Sequence, residues 1–412
     1  MYSTAAILAV VLFLYSVLAD KLERTIFGGA MAFTFIGLAL GTGGFGMLDL
    51  TLNTEGLSTL AELTLALLLF ADAADADFKE LRRSSQMPKR LLLIGLPLTI
   101  VFGIGTGAIL FSAITLLEIA LLATILAPTD AALGKAVVTD ENVPGAIRGG
   151  LNFESGLNDG ICVPIFLAFL AFIVGSAGEQ GFGEIAVHLI VEEVGIGAMT
   201  GLAVAGVGTL IIRLRQSLEE ISPAWQQLLV PALALICFAT AQALGGSGFI
   251  ASFVGGLLFG WLGQHKTAAY LLAAEGTGNA LSLVTWVVFG ATVVPFVFDA
   301  ITWQIAIYAV LSLTLVRMLP VWISLRGTSM RIGEVLFVGW FGPRGLASIV
   351  FAVMATEANV PGADFMSVVV ACTILFSIIG HGLSAKPFAK LLASSMPKED
   401  EAQDQKQKVE VQ

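Results

Sequence analysis

The sequence predicts an all-α polytopic membrane protein with about 13 transmembrane helices, two inverted six-helix repeats and a pair of crossed discontinuous helices. Three observations carry this expectation. Of 412 residues, 57% are hydrophobic and 13% charged, against roughly 25% charged in an average soluble domain. Apolar windows long enough to cross a bilayer recur along almost the whole chain. Two of those windows, at matching places in the order, are interrupted near their centres by proline or glycine beside a charged residue.

A spanning helix needs about 20 mostly apolar residues. The windows that qualify are 5–19, 25–43, 57–77, 90–111, 114–138, 147–175, 182–213, 226–245, 247–263, 276–297, 302–325, 332–356 and 364–390. No Lys or Arg precedes the apolar core of the first window, whereas a signal sequence normally has a positive n-region, so it is read as a span. The count is checked by charge, because Lys and Arg collect in alternate loops only when the number of spans is right. Lys21 and Arg24, the segment from Lys79 to Arg90, Lys135 and Arg148, Arg213 and Arg215, Lys266, Arg326 and Arg331, and Lys386 onward all fall on one side. The opposite loops, such as GTGGFGMLDLTLNTEGLS and ATEANVPGAD, contain neither. This places the N-terminus outside and the C-terminus in the cytoplasm, in a plasma (inner) membrane.

Thirteen spans divide into repeats of about 1–175 and 226–392 joined by a connector helix, 182–213, with 393–412 as a disordered cytoplasmic tail. The connector returns the chain to the inner side, so the second six spans run opposite to the first. The net charge of −10 would suggest basic partners in a soluble protein; here the placement of charge matters more, and no nucleic-acid partner is expected. Cys162, Cys237 and Cys372 lie scattered in apolar segments without paired or metal-ligand spacing and read as small buried hydrophobes. No cofactor is called for.

Span five reads LLATILAPTDAALGKAVV and span twelve IGEVLFVGWFGPRGLASIVFAV. Pro128 and Pro343 remove backbone donors and free carbonyls in the preceding turn. At 1.5 Å per residue, Thr129 lies roughly 22 Å from the outer face and Gly342 roughly 15 Å from the inner face. Both breaks sit near mid-membrane in the fifth span of each half, the arrangement that marks binding sites in secondary transporters. Two ordinary proline kinks are the blander alternative; Asp130 beside one break and Arg344 beside the other argue against it.

Span six carries ESGLND, Glu154 to Asp159. Glu154 and Asn158, and Ser155 and Asp159, are each four apart, so two adjacent polar stripes face one way. An ionised group at the bilayer centre costs at least a few kcal/mol unless paired or hydrated, which makes a functional site the default reading. A carboxylate surrounded by hydroxyl, amide and carbonyl oxygens suits a small hard cation. The same carboxylate can take up a proton instead, and a protein that changes access only when one of the two is bound performs obligatory exchange.

TD followed about thirty residues later by ESxLND, with a GPRG break near the C-terminal end, resembles the electroneutral branch of the monovalent cation/proton antiporters, the sodium/proton exchanger family. The resemblance extends over essentially the whole membrane domain. It implies a non-enzymatic antiporter exchanging Na+ or Li+ for H+ by competition at Asp159. Asp130, Thr129 and Ser155 would complete the cation site. Asn158 would stand where electrogenic relatives carry a second aspartate, so one cation would move per proton. A homodimer is implied, with a mobile six-helix core moving against a dimerisation domain. Many relatives carry an acid in span three; Asp72 in LLLFADAADADFKEL is the nearest match for ion contact, and otherwise Asp72, Asp75 and Asp77 line a cation funnel or offset the basic loop.

Glu154 and Arg344 are expected to form a buried ion pair joining spans six and twelve. Arg317, about eight residues from the inner end of span eleven, is expected to snorkel, or to meet Glu275 or Asn279. Glu184, His188, Glu192 and Glu193 read as polar contacts of span seven, His265 as a loop residue and His381 as a packed histidine. An intramembrane aspartyl protease built on Asp130 and Asp159 lacks a GxGD motif. A passive cation channel does not call for two broken helices. A K+/H+ antiporter is the closer alternative, since carboxylate and carbonyl oxygens accept either ion.

Overall fold

Lipid offers the backbone no hydrogen bonds, so a chain this apolar must satisfy its N–H and C=O groups within each span. The computed structural model describes residues 2–395 except 24, 26–27, 49–53, 77–85, 131–132, 141, 177–181, 219–220 and 264–267. Every regular element among the described residues is a helix. Their order is α1 (Tyr2–Leu22), α2 (Gly29–Leu40), α3 (Thr54–Asp75), α4 (Met87–Leu110), a broken α5 made of α5a (Leu116–Ile125) and α5b (Lys135–Val138), α6 (Gly145–Ser176), α7 (Phe182–Leu218), α8 (Pro223–Ala243) and α9 (Gly248–Gly263). There follow α10 (Ala268–Val288, prolonged to Ala300), α11 (Trp303–Leu325), a broken α12 made of α12a (Ile332–Trp340) and α12b (Leu346–Glu357), and α13 (Ala363–Ser394). These rods match the windows of the sequence one for one. Arg24, Asp77, Lys79, Arg82, Arg83, His265 and Lys266, the side chains of Glu184, His188 and Lys135, and the tail from 396 lie outside what is described.

Local chemistry sets the ends and bends. A capping box starts α5a: Glu118 N–H donates to Thr115 Oγ1 at 3.3 Å and Thr115 N–H to Glu118 Oε2 at 2.6 Å. In α4 and α10, a wider π turn (Leu91–Gly95 and Phe289–Val293) comes just ahead of Pro97 and Pro295, residues that lack the donor an α-helical turn requires. Thr314 kinks α11.

The rods pack as two groups. Helices α4, α5, α6, α11, α12 and α13 form one, and α1, α2, α3 and α7 to α10 the other. Contacts of α3 with α6 and α12b, and of α6 with α7 and α9, join the two. Helix association in lipid rests on close van der Waals approach rather than on a hydrophobic drive. Gly256 and Gly260 of α9 supply it, since a Cβ there would fall 2.4 and 2.3 Å from the carbonyls of Phe70 and Ala74 on α3. At one end, loops that the charge pattern put on a common side do meet: Arg90 Nη1 donates to the Arg326 carbonyl at 2.8 Å.

Candidate functional site at the crossed helices

The breaks of α5 and α12 cross, and the end of α5a and the start of α12b are each partnered by the other helix. Helix termini leave orphan carbonyls and amides that must find partners when buried. At the end of α5a, the Ile125 carbonyl accepts from Ser348 Oγ at 2.7 Å. The Ala127 and Pro128 carbonyls accept from Arg344 Nη1 at 2.9 and 3.2 Å. At the start of α12b, Asp130 Oδ2 accepts from the Leu346 amide at 3.0 Å, while its Oδ1 accepts from Leu133 N–H at 3.2 Å. The Asp130 amide donates to the Pro343 carbonyl at 2.8 Å. A cation thus sits at a helix C-terminus and an anion at a helix N-terminus, the favourable pairing with both dipoles. Gly345 makes the approach possible, because a Cβ there would fall 1.8 Å from Asp130 Oδ2.

Glu154 does not pair with Arg344. Its partner is Arg317 of α11, whose Nη2 donates to Glu154 Oε2 at 2.8 Å while Nη1 lies 2.7 Å from Oε1. Arg317 is 0% exposed and so does not snorkel, and Glu275 and Asn279 are exposed on α10. The physical reason is the supply of acceptors. Arg344 lies where the broken α5a presents unused carbonyls, which can solvate a guanidinium. Among the described residues no carbonyl accepts from the Arg317 guanidinium, so a carboxylate offsets the cost of burying it. Residue spacing alone does not distinguish two arginines in two apolar spans, though Ser348, Ser377 and His381 near the break were visible as polar residues in apolar helices.

Next to the crossing, α6 presents its polar stripes. Asn158 Nδ2 donates to Thr129 Oγ1 at 2.6 Å, and Thr129 Oγ1 shares a hydrogen bond of 3.0 Å with Ser155 Oγ. All three side chains are buried. Asp159 Oδ1 and Asn158 Oδ1 are buried and accept no hydrogen bond among the described residues. Asp72 enters from α3: it packs where Gly156 has no side chain, with its Cβ 3.3 Å from the place a Cβ on Gly156 would occupy.

The sequence-derived site residues Thr129, Asp130, Ser155, Asn158, Asp159 and Asp72 therefore gather where α5, α6 and α12 meet α3, with Glu154 held to one side by Arg317. Among the described residues no three His, Cys, Asp or Glu side chains come together with metal-ligand geometry. What the site offers is a carboxylate oxygen without a hydrogen bond among the described residues, on the helix that carries the Ser155 hydroxyl and the Asn158 amide. Glu192 is exposed and Glu193 half-buried on α7, Asp75 is exposed, and all three cysteines are buried and unpaired.

The profile of the family described as "Sodium/hydrogen exchanger, transmembrane" matches residues 7–391. Over 94% of its length the chain is 27% identical to the K(+)/H(+) antiporter NhaP of Alkalimonas amylolytica, covering 67% of that protein. It is 26% identical over 68% of its length to a Na(+)/H(+) antiporter of Schizosaccharomyces pombe, covering 66% of it. It spans about half the length of several other relatives that it matches. The sodium proton antiporter MjNhaP1 from Methanocaldococcus jannaschii, solved at pH 8, has the same fold, with a TM-score of 0.74 at 18% identity over 95% of this chain and 98% of that one.

Proposed function

The chain belongs to the sodium/hydrogen exchanger family, and from that premise we propose that it exchanges Na+ or Li+ for H+ electroneutrally, with cation and proton competing for Asp159. It is a multi-pass membrane protein of a family of transporters. The observation that carries the proposal is the buried Asp159 Oδ1 without a hydrogen bond among the described residues, beside the Thr129, Ser155 and Asn158 web at the crossing.

A bare carboxylate cannot be carried through a low-dielectric junction cheaply. A bound proton or a bound monovalent cation each cancels its charge, so the loaded forms can change access and the empty form cannot. That rule makes exchange obligatory. Thr129 Oγ1, Ser155 Oγ and Asn158 Oδ1 supply neutral oxygens to a cation, Asp130 keeps the two broken helices in register, and Asp72 lines the approach from α3. With Asn158 uncharged, one positive charge replaces another at Asp159 and no net charge moves.

The moving unit is the group α4–α6 and α11–α13, working against α1–α3 and α7–α10, which hold the homodimer. The repeats are about 1–175 and 226–392 around the connector, and the N-terminus lies outside a plasma (inner) membrane with the C-terminus in the cytoplasm. A second reading, K+/H+ exchange, is favoured by the relatives named K(+)/H(+) antiporters. Proteoliposomes with an internal pH dye separate the two. Added Na+ or Li+, but not K+, should drive proton efflux at a rate indifferent to the membrane potential; a response to K+ alone favours the second reading, and proton flux that follows the potential contradicts electroneutrality. Asn158→Asp should make the flux potential-sensitive.

A further inference from the structure

Helix α13 passes beside the break of α12 with Ser377, His381 and Ser384 on one face, four and three residues apart. His381 is buried, and its Nε2 lies 2.8 Å from the carbonyl of Trp340, the last residue of α12a. A carbonyl only accepts, so Nε2 carries a hydrogen and donates it. On the other side of the ring Nδ1 lies 2.9 Å from the Ser377 carbonyl and 3.1 Å from Ser377 Oγ, so the imidazole is tied to Ser377 as well. The same Ser377 Oγ accepts from the Arg344 amide at 2.8 Å. One imidazole and one hydroxyl thus tie a carbonyl on one side of the break to an amide on the other. The Trp340 indole is fixed as well, since its Nε1 donates to Ser384 Oγ at 2.8 Å and its ring centroid lies 5.2 Å from that of His381.

We propose that His381 and Ser377 are positioning residues for the cation site, acting through the break of α12. The clamp sets the direction in which the chain leaves Trp340 and therefore where the Arg344 guanidinium points. Arg344 in turn holds the Ala127 and Pro128 carbonyls, which immediately precede Thr129 and Asp130. Neither α13 residue need touch the ion: loosening the clamp lets the α5 end drift, and the Thr129 oxygen with it, while the route of the moving helices is unchanged. The inference rests on the antiport reading of that site.

His381→Leu removes the contacts of the ring with both Trp340 and Ser377, and His381→Gln restores an N–H for the Trp340 carbonyl. In proteoliposomes, His381→Leu should raise the apparent KM for the driving cation about 5- to 10-fold with the maximal rate near that of the wild type. His381→Gln should bring the KM back. An unchanged KM in His381→Leu, or a loss confined to the maximal rate, overturns the proposal. Amide hydrogen exchange reads the clamp without transport: the Arg344 amide should exchange faster in His381→Leu and in Ser377→Ala, and wild-type protection in both also overturns it. If the wild-type protein moves no protons with any cation, the antiport reading fails while the exchange data still decide the clamp. Should His381→Leu not fold, Ser377→Ala set against Ser377→Thr provides the same KM comparison.

Discussion

Glu154 and Asp159 are two carboxylates on adjacent stripes of α6, five residues apart, the first buried and the second half-buried with its Oδ1 enclosed, yet their surroundings oppose each other. Both Glu154 oxygens are occupied by the Arg317 guanidinium, whereas Asp159 keeps an oxygen with no hydrogen bond among the described residues. A buried charge that is fully paired holds helices together and has nothing left to give a ligand. A buried charge that is left partly unpaired is costly to keep, and in the proposed mechanism that cost is what a cation or proton relieves on arrival. The difference separates framework from site within a single turn and a half of helix.

Substitutions break the comparison in order of expected effect. Asp159→Asn should abolish cation-driven proton movement while the melting temperature stays near that of the wild type; residual full exchange would place the ion elsewhere. Arg317→Met should leave exchange weakened and cost about 3–5 kcal/mol of stability by stranding Glu154. The double variant Glu154→Leu with Arg317→Met should recover most of that loss in a thermal or denaturant unfolding experiment, and no recovery would mean that the pair does more than neutralise itself. Gly345→Ala should cost about 1–3 kcal/mol, because the new methyl displaces Asp130 from the start of α12b. Ser348→Ala, which leaves the Ile125 carbonyl without its 2.7 Å partner, should cost about 1 kcal/mol.

Most of this molecule could be read before its coordinates. The thirteen rods among the described residues follow from hydropathy because lipid enforces helices, and both breaks follow from proline clustered with polar residues or glycine in PTD and GPRG, whereas Gly256, Gly260 and Pro164 leave their helices continuous. Thr129, Asp130, Ser155, Asn158 and Asp159 were legible as a group for a similar reason: polar side chains in an apolar span must converge. Pairing was not legible. Glu154 could reach a cation on either α11 or α12, and the choice depended on the carbonyls of Ala127 and Pro128, which are backbone groups with no sequence signal of their own. The same holds for His381, whose partner is the Trp340 carbonyl and whose role therefore appears only once α13 is laid beside the break.

Competition at Asp159 has one direct kinetic signature, the dependence of the apparent KM for the driving cation on pH in proteoliposomes. A single site shared by cation and proton predicts that KM rises as pH falls, approaching about tenfold per pH unit at the acid end, with the maximal rate unchanged at saturating cation. A KM that ignores pH while the maximal rate falls would mean that proton and cation occupy separate groups, and the account of Asp159 given above would be wrong.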